Sequence, residues 1–122
     1  MKPQEIFDTV ARHLFKQGHP AVEDGSCLYR ASNGDRCAAG VLITDRYYDP
    51  KMEGQATLAI AKQFDLPKWF KANQELIEAL QYIHDDTYAL TNSGKFSRPK
   101  LKIELQNTAK YFNLEYKGDY DK

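Results

Sequence analysis

Apolar side chains recur at helical spacing near the start of the chain, at Ile6, Phe7, Val10 and Leu14. This period predicts a helix over 3–17, with Pro3 at its start and Gly18 and Pro20 stopping it. The pattern then shortens. Cys27-Leu28-Tyr29-Arg30 and Arg36-Cys37-Ala38 read as extended runs on either side of Ser32-Asn33-Gly34-Asp35. Asn-Gly between such runs predicts a β-hairpin over 27–38, because both central residues of a type I′ turn need positive φ. Residues 19–26 leave room for a third strand.

Further along, Ala39 to Ile43 reads as a short helix and 44–52 as a tyrosine-rich loop. Leu58, Ile60, Ala61 and Phe64 mark a helix broken by Asp65-Leu66-Pro67. Trp69, Leu76, Ile77, Leu80 and Ile83 predict the longest amphipathic helix, starting at Pro67-Lys68 and ending near Tyr88. Asn92-Ser93-Gly94 is a loop. Leu101, Leu105, Thr108 and Phe112 then mark a closing helix, capped by Ser97 and ended by a left-handed Asn113. No repeat is evident. The expected fold is α+β: one mostly helical domain over 1–116, with a small hairpin packed on about four helices and a frayed tail over 117–122.

The hairpin has a consequence for the cysteines. A turn centred on Asn33-Gly34 pairs Arg30 with Cys37 and turns Cys27 and Cys37 to opposite faces. Both then read as buried free thiols, unless the loop is one residue longer.

Composition adds bounds. A chain of 122 residues, 42% apolar and 28% charged, suits one hydrophobic core. Seventeen basic side chains balance seventeen acidic ones, which removes the field that bulk nucleic-acid binding needs. Lys95, Arg98, Lys100, Lys102 and Lys110 against Glu104 form a local basic exception. No apolar run approaches the roughly 18 residues that cross a bilayer, and the start of the chain lacks a signal-like stretch, so no membrane partner and a cytoplasmic location are expected.

Catalytic signatures are missing: no phosphate-cradling Gly-rich loop, no Gly-x-Ser-x-Gly elbow and no His-Glu-x-x-His helix. Their absence leans away from an enzyme, and no cofactor is expected. His19, Cys27 and Cys37 lack zinc-knuckle spacing, so no metal is expected either. Cys37 has Arg30 and Arg36 nearby to activate a nucleophile, against the reading of an inert buried cysteine. His84 and Asp85 are the most enzyme-like pair, suited to acid-base work or metal binding. Neighbours on a helix point about 100° apart, however, and a hydrogen-bonded histidine at a helix end is the competing reading.

The richest cluster comprises Tyr29, Arg30, Arg36, Asp45, Arg46, Tyr47, Tyr48, Asp49 and Glu53. A tyrosine face stacks on a base and an arginine fork grips phosphate, so these residues suit a planar, phosphate-bearing ligand. Equally, tyrosines can fill a seam while arginines and carboxylates pair across a loop.

The central motif also resembles a family of small phage and prophage proteins. The likeness rests on Cys27-x-Tyr29-Arg30, Gly34-x-x-Cys37-Ala38-x-Gly40-x-Leu42-Ile43-x-Asp45 and Tyr48-Asp49-Pro50-x-Met52-Glu53-Gly54, and extends through Leu80-Gln81-x-Ile83-His84-Asp85. The resemblance implies a phage context within a host bacterial cell, where small proteins without catalytic motifs often act by binding. The leading expectation is a counter-defence protein that sequesters a nucleotide-derived immune signal with Tyr29, Arg30, Arg36, Asp45, Tyr48 and Glu53, with a homo-oligomer allowed. The alternatives are a hydrolase of such a signal using His84 and Asp85, and a protein inhibitor of a host factor anchored by exposed tyrosines and the basic helix near residue 100.

Overall fold

The computed structural model describes residues 1–86 and 90–120. Its first helix, α1 (Pro3–Gln17), buries Ile6, Phe7, Val10, Ala11, Leu14 and Phe15 along one face, as the apolar period predicts. The Lys2 N–H donates to Glu5 Oε1 at 2.8 Å at the helix start. At its end Gly18, with φ 77°, donates its N–H to the Leu14 carbonyl at 2.9 Å.

The strands differ from the expected hairpin. β1 (Val22–Glu23) pairs antiparallel with β2 (Ser26–Cys27), and the Asp24 and Gly25 between them take φ 53° and 78°, the positive pair of a type I′ turn. At Asn33-Gly34 only Gly34 is left-handed, at φ 95°. Residues 27–38 therefore meet in a single bridge, Arg30 opposite Arg36, around a loop one residue longer than expected. That extra residue moves Cys37 out of the pairing. It becomes the N-cap of α2 (Ala38–Leu42), its Sγ accepting the Gly40 N–H at 3.3 Å. Both cysteines are free as expected, but Cys27 is exposed and only Cys37 is buried.

The same loop build occurs twice. Ala31 donates to the Asp35 carbonyl at 2.9 Å and Gly34 to that of Ala31 at 3.0 Å, while Thr91 donates to Lys95 at 2.7 Å and Gly94 to Thr91 at 3.1 Å. Leu90 bridges Phe96 as Arg30 bridges Arg36. Each loop feeds a helix two residues on, α2 in the first case and α6 (Arg98–Tyr111) in the second. The sequence hides this repeat because Gly34 and Gly94 alone match across the two loops.

Between them lie α3 (Thr57–Gln63), α4 (Lys68–Ala72) and α5 (Gln74–Asp85). The long helix expected from Pro67 is broken at Asn73, whose backbone leaves the helical region and whose Nδ2 donates to the Trp69 carbonyl at 2.7 Å. The expected end near Tyr88 lies outside the described residues. α5 is the central helix, contacting α1, α2, α3, α4 and α6. α6 buries Leu101, Leu105 and Ala109 and ends at a left-handed Asn113 with φ 60°, as expected. Ser97 holds the cap position without the expected side-chain bond. The fold is thus mostly helical α+β, with six α-helices and one two-stranded sheet among the described residues. No helix there is long and apolar enough to cross a membrane.

The tail expected to fray is docked as far as Tyr120. Tyr116 and Tyr120 meet Phe7 edge-on at 6.4 and 6.1 Å, the Tyr120 hydroxyl donates to Asp8 Oδ1 at 2.8 Å, and Lys117 Nζ lies 2.7 Å from Asp8 Oδ2. Burial alone would raise the Asp8 pKa, but the bonds from Lys117, Tyr120 and Gln4 outweigh it and hold the carboxyl below its ordinary value. The tail contact is therefore complete above the ordinary carboxylate range of about 4 and weakens as pH falls through the lower folded value. Acid titration followed by NMR should show Tyr120 leaving Phe7 before the helices melt. A tail that releases only with global unfolding would count against this account.

Candidate functional site

The six residues singled out by the sequence do come together, and Glu53 is their hub. Its Oε1 accepts the Tyr29 N–H at 2.8 Å, while Oε2 accepts the Arg30 N–H at 3.1 Å and the Tyr48 hydroxyl at 2.7 Å. Burial, and then the Glu53 carboxylate, push the Tyr48 phenol up to about 12, so it remains a donor. The Arg30 guanidinium lies 4.4 Å over the Tyr48 ring and donates through Nη2 to the Ile43 carbonyl at 2.8 Å. Its Nη1 is 2.7 Å from Asp45 Oδ1, and Arg36 Nη2 approaches the same oxygen at 3.8 Å.

This cluster is closed on itself rather than wrapped around a hollow. Glu53 and Tyr48 spend their polar atoms internally, and the Tyr29 ring turns away, its hydroxyl donating to the Gln55 carbonyl. Asp45 is the exception: its side chain is 87% exposed and only Oδ1 is engaged by the arginines. Beside the cluster, Tyr48 also lines a recess of about 510 Å³ with Tyr47, Phe64, Pro67 and Lys68.

The enzyme-like pair has a different fate. His84 is fully buried, and its Nε2 lies 2.9 Å from the Ala21 nitrogen, whose N–H can only donate. Nε2 therefore carries the lone pair and Nδ1 the proton, which goes to Asp85 Oδ1 at 2.7 Å. The adjacent side chains meet after all, because Asp85 folds back along the helix. Gln81 extends the network, accepting the Ala39 N–H at 2.9 Å and donating to Asp85 at 3.0 Å. Neither ring nitrogen is left for acid-base work, so the geometry gives His84 a structural role, the competing reading of the sequence.

Cys27, His84 and Asp85 bring potential metal-ligand atoms within 4.8 Å of one another. They line or adjoin a groove of about 340 Å³ that also holds Tyr29, Cys37 and Tyr82. The set fits a metal poorly. Binding through Nδ1 would move the imidazole proton to Nε2, against the Ala21 N–H. Burial and then Asp85 push the Cys27 thiol up to about 11, and burial pushes Cys37 up to about 12, so neither favours the thiolate that a ligand or nucleophile needs. His19 is drawn to Asp35, 2.8 Å from Nε2, away from any zinc set with the cysteines.

Sequence reasoning gave Gln81 no role beyond its place in the motif and missed the Ala21 N–H, which no local signal marks. It read Glu104 only as the acid of the basic run, whereas one of its oxygens, Oε2, is buried with no hydrogen-bond partner among the described residues. Burial first, and then the hydrogen bond and charge of Asp86, push the Glu104 carboxyl up to about 7. A folded pKa above the unfolded 4.5 means that the folded state holds this proton more tightly. Its contribution is full below the unfolded value and lost as pH rises through the folded one. Glu104→Gln is expected to stabilise the protein by about 1 kcal/mol near pH 8, a figure discounted for partial exposure, and to have little effect near pH 4. Urea unfolding at both pH values checks this; equal effects at the two would refute a Glu104 proton held more tightly in the folded state.

The chain matches no protein-family model, and no curated protein or solved structure is significantly similar to it.

Proposed function

We propose that the chain is a small binding protein that sequesters a phosphate-bearing, nucleotide-derived signal, as a phage counter-defence protein would. One observation carries the reading: two guanidiniums, Arg30 and Arg36, converge on a single oxygen of an exposed loop carboxylate. Gathering like charges is unfavourable without an anion between them. An exposed ion pair contributes only about 0–1 kcal/mol, so Asp45 is a weak occupant that a ligand phosphate, with more charge and more oxygens, can displace.

The adjoining recess supports the rest of such a ligand. Tyr47, Tyr48 and Phe64 offer ring surface for a base, and Tyr48 belongs to both the recess and the arginine cluster. In this reading Arg30, Arg36 and Tyr48 touch the ligand and Asp45 vacates its seat. Tyr29 and Glu53 hold Arg30 in place. The resemblance to small phage proteins supports the biological setting.

Calorimetry with cyclic dinucleotides and ADP-ribose derivatives tests the proposal. At least one should bind at micromolar concentration or tighter, with Arg36→Ala weakening it about tenfold and Asp45→Asn strengthening it. Recovery of intact ligand after heat denaturation distinguishes a sponge from the hydrolase alternative, which would return product. No binding by any of these nucleotides, or affinity indifferent to Arg36 and Asp45, would sink the reading.

A further inference from the structure

A second surface, sharing no residue with the Arg30–Arg36 seat, lies between the last turn of α1 and the first turn of α6. It consists of two adjoining basins of about 480 and 320 Å³ that share Phe15 and Arg98. Lys16 and Lys95 add positive charge to the first and Lys102 to the second, and among the described residues no carboxylate lines either. In a chain with as many acidic as basic side chains, this is a local segregation of charge. The sequence marks its α6 half as a basic run. Lys16 joins it because the Phe96 N–H donates to the Gly18 carbonyl at 2.8 Å, fastening the loop before α6 to the end of α1.

The floor decides which polyanion fits. Its apolar surface is small, because Leu14 and Leu101 beneath it are fully buried, Phe15 is only 4% exposed and Phe96 only 6%, and the Arg98 guanidinium lies 5.8 Å over the Phe15 ring. Tyr116, which lines the second basin, is half-buried and packed edge-on against Phe7 and Tyr120, so the cleft has no row of open aromatic faces for the successive stacking that single-stranded nucleic acid uses. The surface is also concave, whereas reading a duplex groove takes a protruding element. A peptide meets both conditions: carboxylates for the lysine rim and apolar side chains for the two basins.

We infer that this cleft is a docking surface for an acidic protein segment whose carboxylates alternate with apolar anchors. The site is separate from the nucleotide seat, so either proposal can fail alone.

Fluorescence anisotropy with a short labelled peptide of glutamate and leucine tests the inference, alongside the same peptide with lysine for glutamate and a labelled oligothymidine. The acidic peptide should bind, weaken as salt is raised, and lose about tenfold or more in affinity with Lys95→Glu and Lys102→Glu combined. Thermal melting checks that this variant is folded; if it is not, Lys95→Gln with Lys102→Gln replaces it, with a smaller loss expected. Equal binding of the lysine peptide, unchanged binding to the variants, or tighter binding of oligothymidine would each overturn the inference.

Discussion

Alanine at position 40 is expected to destabilise the protein by about 3 kcal/mol or more, enough to lower its melting temperature by roughly 10 °C in a chain of this size. The reason is not backbone conformation, since Gly40 does not need positive φ. A Cβ built there would lie 2.0 Å from the Tyr29 carbonyl oxygen and 2.8 Å from its carbon, so one backbone meets another. Neither side can yield easily. The 29–30 segment is held by the two N–H bonds to Glu53, and α2 is held by the Cys37 cap and by Gln81 on the Ala39 N–H. Gly25→Ala is the useful contrast: its Cβ meets nothing within 4 Å, and its cost should be about 1 kcal/mol, from positive φ alone. Urea unfolding of both variants makes the comparison. A Gly40→Ala protein within 1 kcal/mol of the parent would mean that α2 does not pack against Tyr29 as described. If the variant folds with its two backbones pushed apart, Arg30 moves with Tyr29, so the arginine pair should also lose its grip on Asp45.

The helices were legible where burial is one-sided. α1 and α6 follow the apolar period because each presents a single stripe to the core, and the stop signals at Gly18 and Asn113 act through local backbone conformation. The strands were misplaced because two turn signals compete, Asp24-Gly25 and Asn33-Gly34, each strong over short range. What separates them is long-range. Ala21 is held by His84 and its carbonyl accepts the Leu28 N–H at 2.9 Å, fixing the chain just past β2. Glu53 meanwhile takes the Tyr29 and Arg30 N–H groups that a longer ladder would have used. The break at Asn73 was hidden for a related reason: no glycine or proline marks it, and the side-chain bond to Trp69 makes it.

The site was legible in its chemistry and not in its occupancy. Residues 29–53 are close in sequence, so a short loop and α2 suffice to gather the arginines, tyrosines and carboxylates. Which acceptor meets which donor depends on angstrom-scale placement, however, and pattern reasoning has no access to that. Glu53 reads like a ligand contact and turns out to be a brace; Asp45 reads the same and sits in the arginine seat. The tail shows the same limit. Its polar composition argues for fraying, whereas two tyrosines and one lysine find Phe7 and Asp8, more than a hundred residues away in sequence.

His84→Ala should be the costliest side-chain truncation in the α5 network, at about 3–5 kcal/mol. Two effects add. The Ala21 N–H loses its acceptor in a fully buried setting, worth about 1–3 kcal/mol, and a cavity opens where the imidazole met Phe96 edge-on at 6.1 Å. His84→Gln separates structure from chemistry, because its amide can again accept from Ala21 while supplying no imidazole. Under the structural role it should recover part of the lost stability in urea unfolding and leave unchanged any nucleotide binding that the parent shows. A His84→Gln protein that is stable, binds normally and no longer converts a ligand the parent does convert would reverse the assignment, since a brace has no part in turnover. The geometry leads to the opposite expectation. A ring with one nitrogen facing a backbone N–H and the other donating to Asp85 has nothing left to offer a substrate.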